Sequence, residues 1–576
     1  MQDNIVKKIL FLLGDDKRKI FFIVFLSLIS SFIDIIGLGL IGPYASFVIN
    51  PETFNLKDTF FNFSFFKDKN YDYIIIMFSI ILILVFIIKA IFLLFIKYYL
   101  ASFIYNSQVE LQKKTMLNIQ QKDYLEILKS HTSGATEDIQ GLVKVFTSKV
   151  LFAFMNLLND IILVSIIFIF LVYTQTFFIL ILLAFLIPMS ILYIYFLRPK
   201  LIYYGMQTSK ASKNIFKTIK EAIEGFKEIT ILGKGNFFLE KLISNAKQNS
   251  RYAIRFTIIS ISPRLFLEII MISFVVCFFL INKFYLKNTD LVSTFAVIAF
   301  GIARLLPSFT QIVGSINNFN NGRFATNKLY NELKIFSEKE IDQSLKEKSQ
   351  NQKIFFENLE IKNLSFGYEV NNFIFSNLNL KINKGDIIGL IGQSGSGKTS
   401  LIDIILGLVK SNEGEILINN KIIINDENIE TWRKCIAYLP QENFIFDGSI
   451  KDNIIFSKDD LINNEKLKEV IQQAEISNFI KNLPERENTM IGEKGSRLSG
   501  GQKQRLSLAR ALYHGKDILI LDEALNALDL ETQNEILEQL KKLSKNKTFI
   551  LVTHDKNTLK YCNKILRLEN KKIIKE

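Results

Sequence analysis

Apolar residues are segregated along this chain rather than spread through it. Before about residue 315 they dominate six stretches, at 20–48, 73–99, 150–173, 177–197, 264–282 and 291–314, each near or beyond the ~20 residues a helix needs to cross a hydrocarbon core. From 353 onward the pattern becomes short apolar strands between charged segments, as in a soluble α/β domain. Between the two, 336–352 is rich in Glu, Lys, Gln and Ser and reads as a linker. The chain is therefore expected to be multi-domain, with an all-α transmembrane domain of six spans over 1–335 and an α/β domain over 353–576.

An even number of spans returns the chain to its starting side. Lys113, Lys114, Lys122 and Lys129 lie in the connection 100–149, and Arg198, Lys200, Lys210, Lys213, Lys217 and Lys220 in 198–263. Such an excess of Lys and Arg marks cytoplasmic loops. Both connections read as helical, because apolar residues such as Leu117, Ile119, Tyr124 and Leu128 recur among polar ones, so helices should project into the cytoplasm. The uncharged Thr174-Gln175-Thr176 and the charge-balanced 49–72 face outward. Residues 3–13 suit an amphipathic helix on the cytoplasmic membrane surface. No cleavable leader is expected, since the apolar run Ile9 to Leu13 is short and is followed by Asp15, Asp16, Lys17, Arg18 and Lys19.

Charge and cysteine content narrow the classes. A net charge of +14 would suit a nucleic-acid partner if it formed a basic face on a soluble domain; here the loops between apolar spans account for it, and no nucleic-acid partner is expected. Cys277, Cys435 and Cys562 have no metal-ligand spacing and imply no disulfide framework.

The chemistry lies in the second half. Asp386-Ile-Ile-Gly-Leu-Ile391 reads as a buried strand and runs into Gly392-Gln393-Ser394-Gly395-Ser396-Gly397-Lys398-Thr399, a phosphate loop, with Ser400 next in the helix that follows. Glycines let backbone N–H groups approach phosphates, the helix N-terminus favours anions, Lys398 reaches the terminal phosphates and Thr399 can ligate Mg²⁺. A second apolar strand, Ile518 to Leu521, ends in Asp522-Glu523. That places Asp522 near the metal and Glu523 where it can polarise an attacking water.

Between these two elements lies Leu498-Ser499-Gly500-Gly501-Gln502, and with it the chain resembles the ATP-binding cassette family. The resemblance spans 353–576 and implies ATP and Mg²⁺ as cofactors, with 498–502 capping the nucleotide held by an opposite subunit. It further implies that Tyr368, in Leu364-Ser-Phe-Gly-Tyr368, stacks on adenine, that Gln441 touches Mg²⁺ and water, and that His554 is the switch histidine. Gln441, Asp522 and Thr399 then form the metal set, and Glu523, His554 and Gln441 the catalytic one. Two positions depart from the usual exporter pattern: Asn526-Ala-Leu-Asp529 stands where Ser-Ala-Leu-Asp is common, and Asp555 follows His554 where Arg is commoner. Neither removes a catalytic group; both bear on coupling between sites.

Spans followed by one cassette, with long helical cytoplasmic loops, resemble an exporter half-transporter. A second half is required, a homodimer being the economical reading and a heterodimer an open one. The loops near Tyr124 and over Glu221 to Ile231 would contact the cassettes, and no N-terminal peptidase is expected. The implied setting is a bacterial inner membrane, multi-pass, with the ATPase domain in the cytoplasm.

Substrate class must come from the spans, where Lys89, Arg264 and Arg304 place three cations on three helices. Charges inside spans are costly and usually face a cavity. Arg264 paired with Glu268, a snorkelling Lys89, or a mixed-charge network with Asp34 and Asp160 are the structural alternatives. The surroundings Pro263-Arg-Leu-Phe-Leu-Glu268 and Arg304-Leu-Leu-Pro-Ser308, with the Phe-rich 54–66, resemble the lipid-linked oligosaccharide flippases of bacterial protein N-glycosylation. That likeness implies a polyprenyl-pyrophosphate-linked substrate, whose pyrophosphate suits basic groups. A lipid A or drug exporter is the alternative within the class, and a nucleotide-gated membrane protein without transport is one outside it.

Overall fold

A computed structural model describes residues 5–49, 71–129, 137–281, 291–346, 355–369, 372–425, 428–457 and 463–575. They form two compact units, Met1–Lys122 with Ser130–Lys339, and Asp123–Lys129 with Glu340–Glu576. The Phe-rich 54–66 falls outside the described residues.

The first unit is helical. Its elements are α1 (Ile5–Leu13), α2 (Lys17–Ile49), α3 (Tyr71–Gln120), α5 (Phe152–Leu192), α6 (Arg198–Glu224), α7 (Phe226–Ile231), α8 (Gly235–Ile281) and α9 (Leu291–Lys346); α4 (Tyr124–Lys129) belongs to the second unit. Among the described residues three segments are long and apolar enough to cross a membrane, Ile5–Gly37, Ile75–Gln120 and Ile139–Phe170. On α3 the side chains of Ile76, Ile83, Ile88, Ile91 and Leu94 are more than half exposed. A helix that is apolar on every side and shows that surface outward is built for lipid contact.

Helical backbone runs unbroken through Thr174-Gln175-Thr176, so the two spans expected at 150–173 and 177–197 share one helical stretch, entered through π-type turns at Glu137–Leu142 and Phe146–Leu151. Thr-Gln-Thr holds neither Gly nor Pro, and nothing in it forces the helical hydrogen bonds to stop. The linker expected at 336–352 is helical as far as Lys346. The packed part of this unit lies where α1 to α3, the π turns and α9 meet, around Ile9, Phe103, Phe146, Val150, Leu151 and Leu329. The face of α1 that carries Lys8, Ile9, Leu12 and Leu13 is buried, with Lys8 donating to Asn327 at 2.9 Å, while Val6, Leu10 and Phe11 remain outside.

The second unit is α/β. A four-stranded antiparallel sheet has the order β2 (Phe375–Asn383), β1 (Asn358–Phe366), β4 (Glu413–Ile418), β5 (Ile422–Ile423). A six-stranded sheet has the order β10 (Lys572–Lys575), β9 (Lys564–Glu569), β3 (Ile387–Ile391), β8 (Thr548–Val552), β7 (Ile518–Asp522), β6 (Ile436–Leu439), parallel except for the β9–β10 hairpin. β7 and β8 are buried at every position. Their unbroken apolar runs follow, because a parallel strand covered on both faces has no solvent side for alternation to mark. The helices α10 (Lys398–Ile405), α11 (Gly500–Tyr513) and α12 (Leu530–Leu543) complete the frame that carries the site. Trp432 is fully buried and its indole donates to the Ile405 carbonyl at 2.7 Å, tying the end of α10 to the core.

Candidate functional site

The site forms at the C-terminal edge of the parallel strands, where β3 and β7 release their chains. β3 gives way to the loop 392–397, and α10 starts at Lys398 with Gly397 in the left-handed region at φ +101°. A Cβ on Gly397 would collide with Ile374, and one on Gly392 would lie 2.7 Å from both the Leu568 carbonyl oxygen and Ser396 Oγ. Only glycine fits either position, so the loop backbone can close into a concave cradle. Ser396 Oγ is buried without a hydrogen-bond partner, a donor left over inside that cradle. Lys398 Nζ donates to the carbonyls of Gly392 at 2.6 Å and Gln393 at 3.0 Å, which hold the ammonium over the loop. Burial pushes its pKa down, and Glu523 and Asp522 push it back up. Glycines at contact distance, a spare buried hydroxyl and a centred ammonium fit a polyphosphate.

Parallel pairing of β7 with β8 sets Asp522 against Val552 and brings the next residues of both strands together. Asp522 is buried; desolvation raises its carboxyl pKa, while a hydrogen bond from Tyr438 Oη at 3.2 Å lowers it. Glu523 sits at φ +48° and donates its N–H to the Val552 carbonyl at 3.0 Å. A non-glycine residue in the left-handed region costs on the order of 1 kcal/mol, and such strain gathers at working sites. Here it turns the Glu523 carboxylate out of the sheet toward three side chains. Oε2 accepts from Gln441 Nε2 at 3.0 Å and from Asn526 Nδ2 at 3.4 Å, and Oε1 lies 3.6 Å from His554 Nε2. The three expected catalytic residues, Glu523, Gln441 and His554, thus meet, with Asn526 as a fourth.

Tyr368 is mostly exposed, its ring edge-on to Phe366 with centroids 5.0 Å apart and its hydroxyl 3.3 Å from Ser400 Oγ. Thr399 is exposed in the first turn of α10. Ser499 caps α11 through reciprocal bonds with Gln502, at 2.9 and 3.3 Å, and the start of the helix rests on Ala527 and Leu528. Among the described residues no hydrogen bond joins 498–502 to 392–399.

In the helical unit, Lys89 and Arg304 converge on one buried carboxylate: Lys89 pairs with Asp34 Oδ1, and Arg304 Nη2 reaches Asp34 Oδ2 at 3.0 Å. Arg304 Nε and Asp160 Oδ2 are buried without hydrogen-bond partners. Arg264 lies on α8, one turn before Glu268; its side chain is outside the described residues. Two of the three candidate cations are therefore members of a mixed-charge network.

Sequence reading missed the Asn526–Glu523 contact and the Tyr438–Asp522 bond. The second needs the register Tyr438↔Ile520 between β6 and β7, which no local pattern encodes.

Residues 375–526 match the family model described as ABC transporter. The chain is 41% identical over 215 residues to an export ATP-binding/permease protein of Rickettsia bellii, covering 37% of this chain and 36% of that protein. It is 29% identical over 355 residues to an ATP-dependent lipid A-core flippase of Saccharophagus degradans, covering 62% and 59%. The chain thus spans little more than a third of the first relative's length. Its fold matches that of a bacterial Atm1-family ABC exporter with ATP bound, with a TM-score of 0.76, 17% identity and 97% and 94% of the two chains covered.

Proposed function

We propose that this chain is an ABC exporter half-transporter that hydrolyses ATP as part of a dimer and uses the energy to move a lipid-linked anion outward across a membrane. The observation that carries the ATPase reading is the convergence of Gln441, Asn526 and His554 on Glu523, beside a phosphate cradle of the right composition. Lys398, Ser396 and the backbone of 392–399 would hold the phosphates, and Tyr368, half-free beside the loop, the base. Thr399, Gln441 and Asp522 would hold Mg²⁺, which when bound neutralises phosphate charge. Glu523 accepts a proton from water, its orientation fixed by Gln441 and Asn526, and His554 lies where it can share charge on that carboxylate. Leu498 to Gln502, a helix start with Ser499 and Gly500 exposed and, among the described residues, no hydrogen bond to the phosphate loop of the same chain, serves the nucleotide of the second copy.

The substrate reading is a polyprenyl-pyrophosphate-linked oligosaccharide, and its support is electrostatic. Lys89 and Arg304 converge on the carboxylate of Asp34, with the buried Asp160 close enough to interact with Arg304, so the cluster holds two cations within the spans, and Arg264 lies on α8 one turn before Glu268. A cation that is costly in hydrocarbon is stabilised beside a polyanionic headgroup. The likeness to a lipid A-core flippase keeps another phosphorylated lipid as the second reading.

The test is flipping of a fluorescent pyrophosphate-linked lipid in vesicles by wild type and by Lys89→Gln/Arg264→Gln/Arg304→Gln, with Asp34→Asn and Asp160→Asn added so that neither buried carboxylate is left without its cation. Flipping should be lost while basal ATP hydrolysis persists. A folded variant that flips at the wild-type rate overturns the headgroup role.

A further inference from the structure

Beyond the spans and the nucleotide site, one surface of the helical unit combines charge, aromatic rings and concavity. The antiparallel pair α6 and α8 carries two adjoining recesses, of about 490 and 480 Å³, that share Arg255. Lys200 and Arg255 line the first, with Tyr203 and Tyr204; Lys247, Arg251 and Arg255 line the second, with Tyr252. The Arg255 guanidinium lies over the Tyr204 ring, 5.6 Å from its centroid, with Nη1 3.4 Å from the hydroxyl. Among the described residues none of these four cations enters an ion pair. The sequence explains why: 198–220 and 241–263 contain no Asp or Glu, and the acids that flank this stretch are Glu221, paired with Lys241 at 2.8 Å, and Glu240 on one side and Glu268 on the other.

We infer that this surface is a binding site for the phosphate of an anionic lipid headgroup. Two arginines offer forked donors that match phosphate oxygens, and the tyrosines supply hydroxyls and ring faces that hold a guanidinium in place. Each recess has the size of a headgroup rather than of a whole lipid. The surface also borders apolar ground: Ile254, Ile258, Ile261 and Leu265 on α8 are at least half exposed, as are Tyr195 and Phe196 just before α6. A phosphate held by Arg251 and Arg255 leaves acyl chains free to lie along them. Scattered loop lysines follow from orientation bias alone; here the cations are clustered along one face of α8 and across to α6, with no carboxylate among the residues lining either recess. The inference rests on the membrane reading for its lipid and is independent of the transported substrate.

The test uses the full chain in detergent, titrated with phosphatidylglycerol or phosphatidylcholine and read by native mass spectrometry, with thermal unfolding and ATP hydrolysis measured on the same samples. Arg251→Gln/Arg255→Gln should weaken the first phosphatidylglycerol by about tenfold or more. Lys210→Gln/Lys213→Gln, the same charge change elsewhere on α6, should not, and phosphatidylcholine should bind weakly to all. If inorganic pyrophosphate displaces the lipid at equal concentration, the anion site stands and a soluble phosphate becomes its source. Should the double glutamine variant fail to fold, Arg255→Lys decides, since losing the fork must weaken phosphatidylglycerol several-fold. Equal weakening by the glutamine and control pairs, or none by either or by Arg255→Lys, overturns the proposal. An ATPase that is dead in wild type as well would count against the exporter reading instead.

Discussion

Glu523 carries more of the account than any other single residue. Its backbone is held in the left-handed region, and its two oxygens divide among Gln441, Asn526 and His554. Glu523→Gln keeps the shape and removes the base, so ATP binding should survive while steady-state hydrolysis falls by roughly 10² or more. Unchanged turnover of the purified variant would remove Glu523 from that role. Asp403, on the buried side of α10, offers a second test at this scale. Burial and then the charge of Asp522 raise its carboxyl pKa to about 6. A carboxyl raised above its unfolded value binds more protons folded than unfolded, so stability is greatest below the unfolded pKa and falls as pH rises toward and through about 6. Asp403→Asn should therefore stabilise the protein at pH 8 by up to about 3 kcal/mol and make little difference near pH 4. Thermal unfolding of the full chain at both pH values reads this, and an equal shift at both would contradict it.

Elements place these residues, and they differ in how far a sequence can show them. β3 and β7 were legible because continuous apolar runs bounded by glycine or carboxylates have few other readings, and the phosphate loop was legible because its spacing is its function. The partner of Lys89 was not. α2 and α3 are apolar on every side, so no polar stripe reveals which face turns inward, and Asp34 could be placed against Lys89 and Arg304 only by packing. The helical continuity through Thr174-Gln175-Thr176 was hidden for a related reason, since lack of charge suggests a turn but does not break a helix. α4 was legible as a helix and the loop near Tyr124 as one that meets the second domain, and Tyr124 and Leu125 do pack against that core. Arg510 is the element-scale residue no motif announced. From the last turn of α11 its guanidinium donates to the carbonyls of Phe444 and Asn453 at 2.7 and 2.6 Å and stacks 4.3 Å from the Phe456 ring, and burial lowers its pKa to about 10. It fastens the segment after Gln441 to the helix that Ser499 caps. Arg510→Leu leaves the carbonyl of the buried Asn453 without its donor and should cost about 1–3 kcal/mol. Denaturant unfolding measures it, and a loss within 0.5 kcal/mol, the ordinary surface range, would show the anchor to be idle.

At the scale of the whole molecule the central claim is that neither cassette completes its own site. Lys398 lies in the phosphate cradle, whereas Ser499 and Gln502 bond to each other at a helix start with no hydrogen bond to that cradle. The most direct measurement pairs two defective chains, Lys398→Ala and Ser499→Glu, in one dimer isolated through two affinity tags. Each homodimer should be inactive, the first without its phosphate cation and the second with a carboxylate facing the nucleotide. If sites are shared between subunits, the mixed dimer has one site with both defects and one with neither, and it should hydrolyse ATP at roughly half the wild-type rate. If each chain works alone, both sites of the mixed dimer stay defective, and a rate no higher than that of the two parents would contradict the account.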